Sequence, residues 1–385
     1  MKIGFDAKRA LFNQTGLGSY SRSIINGMAA QFPENQYYLY TPKSTVTIGE
    51  TPFVLQDNMQ LRAPSTRFEQ LVGGSAWRSL LMGNAIEHDN IQTYHGLSHE
   101  LPYNISKKVR KIVTIHDLLP WRYPQHYPLF DRLVYKQKWK HACNTADVVV
   151  AISQQTKQDL VDFLHIETNK IVVVPPPINP MYYDYQDGSF LQHGFFVTQQ
   201  YDIPYPIPND YILYVGSLTP RKNTLMLLKA LEQARHKIPD LHLVIVGNGS
   251  NDYLATLKTY IAEQKLDNNI TFLHSVAEKH LPAIYRCAKL VVYPSLFEGF
   301  GLPIVEGLFS RTPVITSAGG CFEEAGGSTT QYINPNNAES IANAIEQVLS
   351  SPAQRMNMIV DGWNHAQQFR VDNVTEQLMA IYKAI

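Results

Sequence analysis

Short apolar runs alternate with helix-periodic stretches along the whole chain, and no other feature constrains its fold as much. Ile3 to Phe5 reads as a strand, and Ser21 to Phe32 follows with Ile24, Ile25, Met28, Ala29 and Phe32 at helical spacing. Tyr37 to Tyr40, Ile91 to Tyr94, Lys111 to Ile115, Asp147 to Ala151 and Ile171 to Val174 are further strand-like runs, and Ser153 stands where it would cap a helix. The rhythm breaks between Pro175 and Asp210. Pro175, Pro176, Pro177, Pro180, Pro204, Pro206 and Pro208 fall there with several tyrosines and no period, which reads as a domain connection with an aromatic-rich loop. The alternation then restarts with strands Tyr211 to Val215, Leu241 to Val246, Ile270 to Leu273, Leu290 to Tyr293 and Pro313 to Thr316, and a helix Leu225 to Lys237. The end is helical: Ala338 to Leu349, Pro352 to Phe369 and Val371 to Ala384. Such alternation predicts parallel sheets covered by helices on both faces. The expected fold class is α/β, with two doubly wound domains over residues 1–180 and 211–370 joined by a connection over 181–210. Two such domains facing each other make a cleft, and ligands of open α/β sheets bind beyond the carboxyl ends of the strands.

Composition narrows the function classes. The chain has 385 residues, 44% of them hydrophobic, enough to bury a core without disulfide or metal braces. Lys plus Arg (33) equals Asp plus Glu (33), whereas a nucleic-acid binder usually carries a basic excess. Cys143, Cys287 and Cys321 are too scattered for a disulfide framework or a CxxC metal knuckle. No signal-peptide core and no run of about 18 apolar residues is present, so a cytoplasmic protein is expected. Peripheral association with the inner face of the plasma membrane stays open, because an interfacial patch needs no spanning segment.

Four segments carry candidate chemistry. Gly16 and Gly18 in TGLGSY enter the first helix, where glycines admit a ligand close to the backbone and helix N–H groups favour an anion. A third glycine is absent at Ser21, so a plain glycine turn with a serine cap fits equally well. Gly216 opens the second segment, GSLTPRKN, in which Asn223 is expected to cap the next helix and Arg221 and Lys222 stand at its positive end. A guanidinium, an ammonium and a dipole together suit a diphosphate, against a solvated basic turn as the plainer reading. The third segment, EGFGLPIVE, sets Glu298 on a glycine-rich loop, Pro303 at the start of a helix and Glu306 in its first turn or so. Two carboxylates there can accept sugar hydroxyls, with the loop N–H groups binding an anion; alternatively Glu306 merely complements the helix dipole. The fourth, His116-Asp117, ends a strand and suits substrate contact or proton transfer, or a structural hydrogen bond. There is no GxxxxGK[ST], no HExxH, no GxSxG and no Asp-x-Asp. The last absence weighs against holding a nucleotide diphosphate through a divalent metal, so no metal site is expected.

With these motifs in this order, the chain resembles the family-4 retaining glycosyltransferases of the GT-B fold, a group that includes mannosyltransferase-like members. EGFGLPIVE matches the family's E-x7-E signature, and TGLGSYSRSI, TIHDLLPWRYP, AISQQTKQDL, VGSLTPRKN, VIVGNG and EEAGG resemble family segments over nearly the whole chain. The resemblance implies two Rossmann-like domains, a terminal helix 371–385 crossing back to the N-terminal domain, and no cofactor. Transfer would run with retention from a nucleotide-diphosphate sugar, GDP-mannose first and UDP-sugars next, to a glycan or lipid-linked acceptor in surface polysaccharide or glycolipid synthesis. Glu306 would take the donor ribose and Glu298 the donor sugar, with N–H groups of Phe300, Gly301 and Leu302 nearby. Arg221 and Lys222 would hold the diphosphate, Gly16 and Gly18 would line the phosphate and acceptor side, and His116 would lie beside the reacting carbon. The base would sit near Ser275 and Val276, where many relatives carry Gly in place of His274. Attack from the front face, with the leaving phosphate assisting, needs no protein nucleophile. Within the fold a nucleotide-sugar epimerase or a phosphorylase-type enzyme is the runner-up, and a non-catalytic nucleotide-sugar-binding protein is the alternative of another class.

Overall fold

The computed structural model describes residues 1–13, 15–43, 53, 55–184 and 203–385. Part of the proline-rich connection, residues 185–202, therefore lies outside the described residues, as do 44–52 and 54 of the stretch before the first buried tryptophan. The chain divides into two units, Met1–Asn179 with Phe369–Ile385, and Pro180–Gln368.

The first unit is built on β1 (Lys2–Asp6), β2 (Gln36–Tyr40), β3 (Met59–Arg62), β4 (Thr93–Gly96), β5 (Arg110–Ile115), β6 (Val148–Ala151) and β7 (Ile171–Val173). All pairings are parallel, in the order β3-β2-β1-β4-β5-β6-β7. Ile3 and Phe5 of β1 pack on Ile24, Ile25 and Met28 of the helix Gly16–Gln31 and on Val374, Leu378 and Tyr382 of the terminal helix Val371–Ala384. The opposite face of the sheet buries Tyr94, Val113 and Ile115 against Trp77, Ala142, Cys143 and Leu160. With both faces covered, the central strands are nearly continuous apolar runs, which is why they were visible in the sequence.

The second unit holds β8 (Ile212–Val215), β9 (Leu243–Val246), β10 (Ile270–Leu273), β11 (Leu290–Tyr293), β12 (Val314–Ser317) and β13 (Gln331–Ile333). They too pair in parallel, in the order β10-β9-β8-β11-β12-β13. Strand order reverses between β1 and β4 in one sheet and between β8 and β11 in the other. Those reversals are the places where loops diverge and leave a ligand crevice at the strand ends.

Several expected elements sit differently. The first long helix begins at Gly16 and not at Ser21, with Thr15 in the capping position. The strand expected over Ile91 to Tyr94 runs Thr93–Gly96, because Ile91 belongs to the core under the preceding helix while β1 pairs from Thr93 onward. The edge strands β3 and β13 and the polar helices Leu129–Thr145 and Asn251–Glu263 were not expected at all. Ser153 does cap its helix, its hydroxyl accepting the Thr156 N–H at 3.0 Å.

Candidate active site

Two loops of the second unit leave the strands that flank its reversal point. The loop after β8 carries Gly216 to Lys222, and the loop after β11 carries Pro294 to Gly301. They are stitched together by backbone: the Leu296 N–H donates to the Arg221 carbonyl at 2.9 Å. Asn223 completes the stitching instead of capping. It sits in the left-handed region at φ 61° with no side-chain cap bond, and its amide donates to the Pro294 carbonyl at 3.1 Å and the Pro335 carbonyl at 2.7 Å.

This stitching brings Arg221, Lys222 and Glu298 together on one oxygen. Oε1 of Glu298 lies 2.8 Å from the Arg221 guanidinium and 2.7 Å from the Lys222 ammonium. The same oxygen accepts the Ser295 hydroxyl at 2.5 Å and the Tyr293 hydroxyl at 3.1 Å. Arg221 also donates to the Phe297 carbonyl, and Lys222 to the Tyr293 hydroxyl. Burial opposes the Glu298 charge, yet Lys222, Arg221 and the hydroxyl together hold its carboxyl below the usual range. Burial pulls the Lys222 ammonium down, and Glu298 holds it up. Two cations on one carboxylate leave one net positive charge at the head of the helix Thr224–Ala234. Oε1 is saturated, so a ligand hydroxyl must use Oε2, to which no hydrogen bond is made among the described residues.

Gly301 precedes the helix Leu302–Phe309 at φ 105°, a backbone state that side chains resist, and a Cβ there would stand 2.9 Å from Ile304 Cδ1. Phe300 is buried, Leu302 is the first helical residue, and Pro303 is the second. Glu306 does not join Glu298. Its Oε2 accepts the Tyr285 hydroxyl at 2.8 Å, and burial lifts its carboxyl to about 7 in spite of that bond, with the Glu278 charge adding to the rise. Gly216 cannot offer its N–H to a ligand, because that group donates to the Val246 carbonyl at 2.9 Å. Ser275 is exposed and Val276 half-buried on the loop after β10. The neighbouring His274, where glycine was the expectation from relatives, leans back on the sheet with Nδ1 3.3 Å from the Gly247 carbonyl.

The remaining candidates belong to the first unit. Gly16 is exposed at the helix start, whereas Gly18 is buried and has a packing reason: a Cβ would fall 1.7 Å from the Asn13 carbonyl oxygen. His116 follows β5 and is buried. Its Nε2 is 2.8 Å from the Leu97 carbonyl, which only accepts, so Nε2 carries the proton and Nδ1 is the acceptor. Burial pushes the ring down to about 4, so it is neutral at pH 7. Its rotation is fixed by the Tyr20 ring, edge-on at 4.6 Å. Tyr20 in turn ends a chain that sequence reasoning missed. Its hydroxyl meets Thr114 Oγ1 at 3.1 Å, Thr114 meets His95 Nε2 at 2.8 Å, and His95 Nδ1 meets the Tyr382 hydroxyl at 2.5 Å. Tyr293, Ser295, Tyr285 and Tyr382 were read as core or passed over, since tyrosines in apolar runs look alike until their hydroxyls find partners. Among the described residues no cluster of three or more His, Cys, Asp or Glu is placed to hold a metal.

Comparison with known proteins bears on the family and the fold. The family model described as Glycosyltransferase Family 4 matches residues 16–182, and Glycosyl transferases group 1 matches residues 203–363. The O-antigen chain mannosyltransferase B of Escherichia coli is 26% identical over 402 aligned positions, covering 100% of both chains. The O-antigen chain mannosyltransferase RfbU of Salmonella typhimurium is 26% identical over 69% of this chain and 67% of its own. Among solved structures, a sucrose-phosphate synthase from Thermosynechococcus elongatus superposes with a TM-score of 0.74 at 19% identity, over 100% of this chain and 98% of that one. The Anabaena protein HepE, crystallised with UDP and glucose, gives 0.71 at 18% identity over 100% of both chains. With one family model on each parallel-sheet unit and relatives aligned from end to end, the chain belongs to the family-4 glycosyltransferases and has the GT-B fold.

Proposed function

We propose that this glycosyltransferase moves mannose from GDP-mannose to a hydroxyl of a glycan or lipid-linked precursor of a surface polysaccharide, with retention and without a metal. The observation that carries the reading is the convergence of Arg221 and Lys222 on Glu298 at the β8/β11 reversal point. A diphosphate arriving there meets a bidentate guanidinium, an ammonium and a helix N-terminus, which stabilise the charge growing on the leaving phosphate. Glu298 bridges the two cations through Oε1 and presents Oε2 to a donor-sugar hydroxyl. Gly301 and Leu302 offer backbone N–H groups to the phosphates, and Phe300 fixes the loop beneath them. Glu306, once ionised, accepts the ribose hydroxyls, and Ser275 and Val276 border the base. On the acceptor side, neutral His116 accepts through Nδ1, with Gly16 and Gly18 at the entry. The names of the two O-antigen mannosyltransferases support mannose as the sugar and polysaccharide as the product. No helix among the described residues is long and apolar enough to cross a membrane. The proposed place of work is the cytoplasm, at the inner face of the plasma membrane.

A thermal-shift screen against nucleotide sugars tests the donor, because a ligand of the folded state raises its melting temperature by mass action. GDP-mannose is expected to stand out, and transfer is expected to persist in EDTA and to collapse in Arg221→Ala with the fold intact. Unchanged turnover in that variant, or activity lost to EDTA and restored only by a divalent ion, overturns the site assignment.

A further inference from the structure

One tyrosine of the proline-rich connection has a place that sugar-transfer chemistry alone does not explain. Tyr205 stands between Pro204 and Pro206, with Pro208 three residues on. Each proline ring fixes φ at about −65° and biases the residue before it toward extended backbone, so this stretch has few conformations to lose. The Ile207 N–H closes on the Tyr205 carbonyl at 2.9 Å. The half-buried Tyr205 side chain reaches the loop that follows β10. Its hydroxyl oxygen accepts the Ala277 N–H at 3.0 Å and lies 3.2 Å from Nδ1 of His280, and the two rings meet edge-on at 5.6 Å. The Ala277 carbonyl is taken as well, by the His280 N–H at 2.9 Å. The other end of the loop is held by Asn248, whose amide donates to the His274 carbonyl at 2.8 Å. Between these two anchors lie Ser275 and Val276, whose peptide groups make no hydrogen bond among the described residues.

We propose that Tyr205 is a positioning residue for the nucleotide base: its hydroxyl pins the loop after β10, so that the unpaired peptide groups of Ser275 and Val276 stand ready as a preformed edge. The proposal rests on the reading that puts the base at these two residues. A nucleobase carries donors and acceptors in one plane, and peptide N–H and C=O groups complement them if the chain that bears them keeps still. The loop cannot supply that order by packing. His274, Ser275 and Ala277 are exposed, and Val276 is only half-buried. A loop that had to be ordered at the moment of binding would lose conformational entropy then, whereas one anchored at both ends has less to lose. The pinned segment also runs on into the turn Glu278–His280, and the charge of Glu278 reaches Glu306. One hydroxyl from the connection thus steadies the base side of the proposed donor site and the turn that leads to its ribose side.

Isothermal titration of the full chain with GDP, UDP and inorganic pyrophosphate tests it, in the wild type, Tyr205→Phe and Ser275→Trp. Phenylalanine keeps the ring against His280 and deletes the hydroxyl. It should weaken the more tightly bound of the two nucleotides about fivefold, the worth of one hydrogen bond, and leave pyrophosphate unchanged. The donor KM should rise by the same factor while kcat at saturating donor stays at the wild-type value. Hydrogen exchange over residues 274–280 should quicken in Tyr205→Phe, because the Ala277 N–H loses its acceptor. Ser275→Trp fills the space assigned to the base and should abolish nucleotide binding, again without touching pyrophosphate. Equal losses of nucleotide and pyrophosphate in Tyr205→Phe mark a general structural role and overturn the proposal. Wild-type nucleotide affinity in Tyr205→Phe overturns it too, and if Ser275→Trp still loses the nucleotide, the base reading stands without Tyr205. Nucleotide binding that survives Ser275→Trp, or a wild type that binds neither nucleotide, defeats the base reading, and the role of Tyr205 falls with it.

Discussion

Replacing Glu298 by Gln is the most informative perturbation, because it removes one charge and leaves two cations facing each other. At an effective dielectric near 20, a unit pair 2.7 Å apart is worth roughly 6 kcal/mol. If the amide oxygen recovers half through its hydrogen bonds, about 3 kcal/mol of support for the Lys222 ammonium is lost, on the order of a hundredfold in its proton equilibrium. Burial and Arg221 already pull that ammonium down, and Glu298 is its main support. Above pH 8, where Glu306 is already ionised and the wild type stays flat, the variant should bind and use donor with an efficiency that falls as pH rises. The assay is kcat/KM for the donor from pH 8 to 10. A double variant with Lys222→Arg should restore a flat profile, since guanidinium keeps its proton throughout. Breaking a buried pair also costs stability, roughly 3–5 kcal/mol, so melting curves must accompany the kinetics. Parallel pH profiles for the variant and the wild type would refute the claim that Glu298 maintains the charge of Lys222.

Three further outcomes are expected. Glu306, raised to about 7, must ionise to accept two ribose hydroxyls, so donor affinity should weaken as pH falls through 7, and Glu306→Gln should remove that dependence; isothermal titration over this range checks it. His95 and His116, held down to about 3 and about 4 by burial, are uncharged when folded, so unfolded chains take up protons first as pH drops below 6.5. Stability of the first unit should then fall with acid by roughly 1.4 kcal/mol per pH unit per histidine, seen in urea midpoints. Gly301→Ala forces a side chain into φ 105° and against Ile304, and should cost about 1–3 kcal/mol with loss of donor binding.

Much of this was legible in the sequence because buried parallel strands are continuous apolar runs. Leu290 to Tyr293, a fully buried run in the middle of the second sheet, was placed to the residue for that reason. Two of the edge strands broke the rule: Met59–Arg62 and Gln331–Ile333 are short and half polar, and parallel pairing alone makes them strands. The basic turn and the signature glutamates were likewise visible, but not that Glu298 and the basic pair share an oxygen. That contact joins Glu298 to residues 77 and 76 positions before it through two loops, and no local spacing encodes it. Asn223 looked like a cap because its residue type suits one, and tertiary carbonyls at Pro294 and Pro335 outbid the helix. The tie between His95 and Tyr382 spans 287 positions and was beyond any window.

The first unit is not one stretch of chain. Its sheet is finished by residue 173, yet the helix that covers Ile3 and Phe5 arrives after residue 370, with the whole second unit between. A ribosome therefore releases a nearly complete N-terminal half whose apolar face waits open while the other half is made. During that interval the Tyr382 hydroxyl does not exist, and His95 lacks its partner. Synthesis order makes this helix the last cover of the first unit: a chain cut before residue 371 keeps every proposed donor-binding residue and lacks the helix that packs on Ile3 and Phe5.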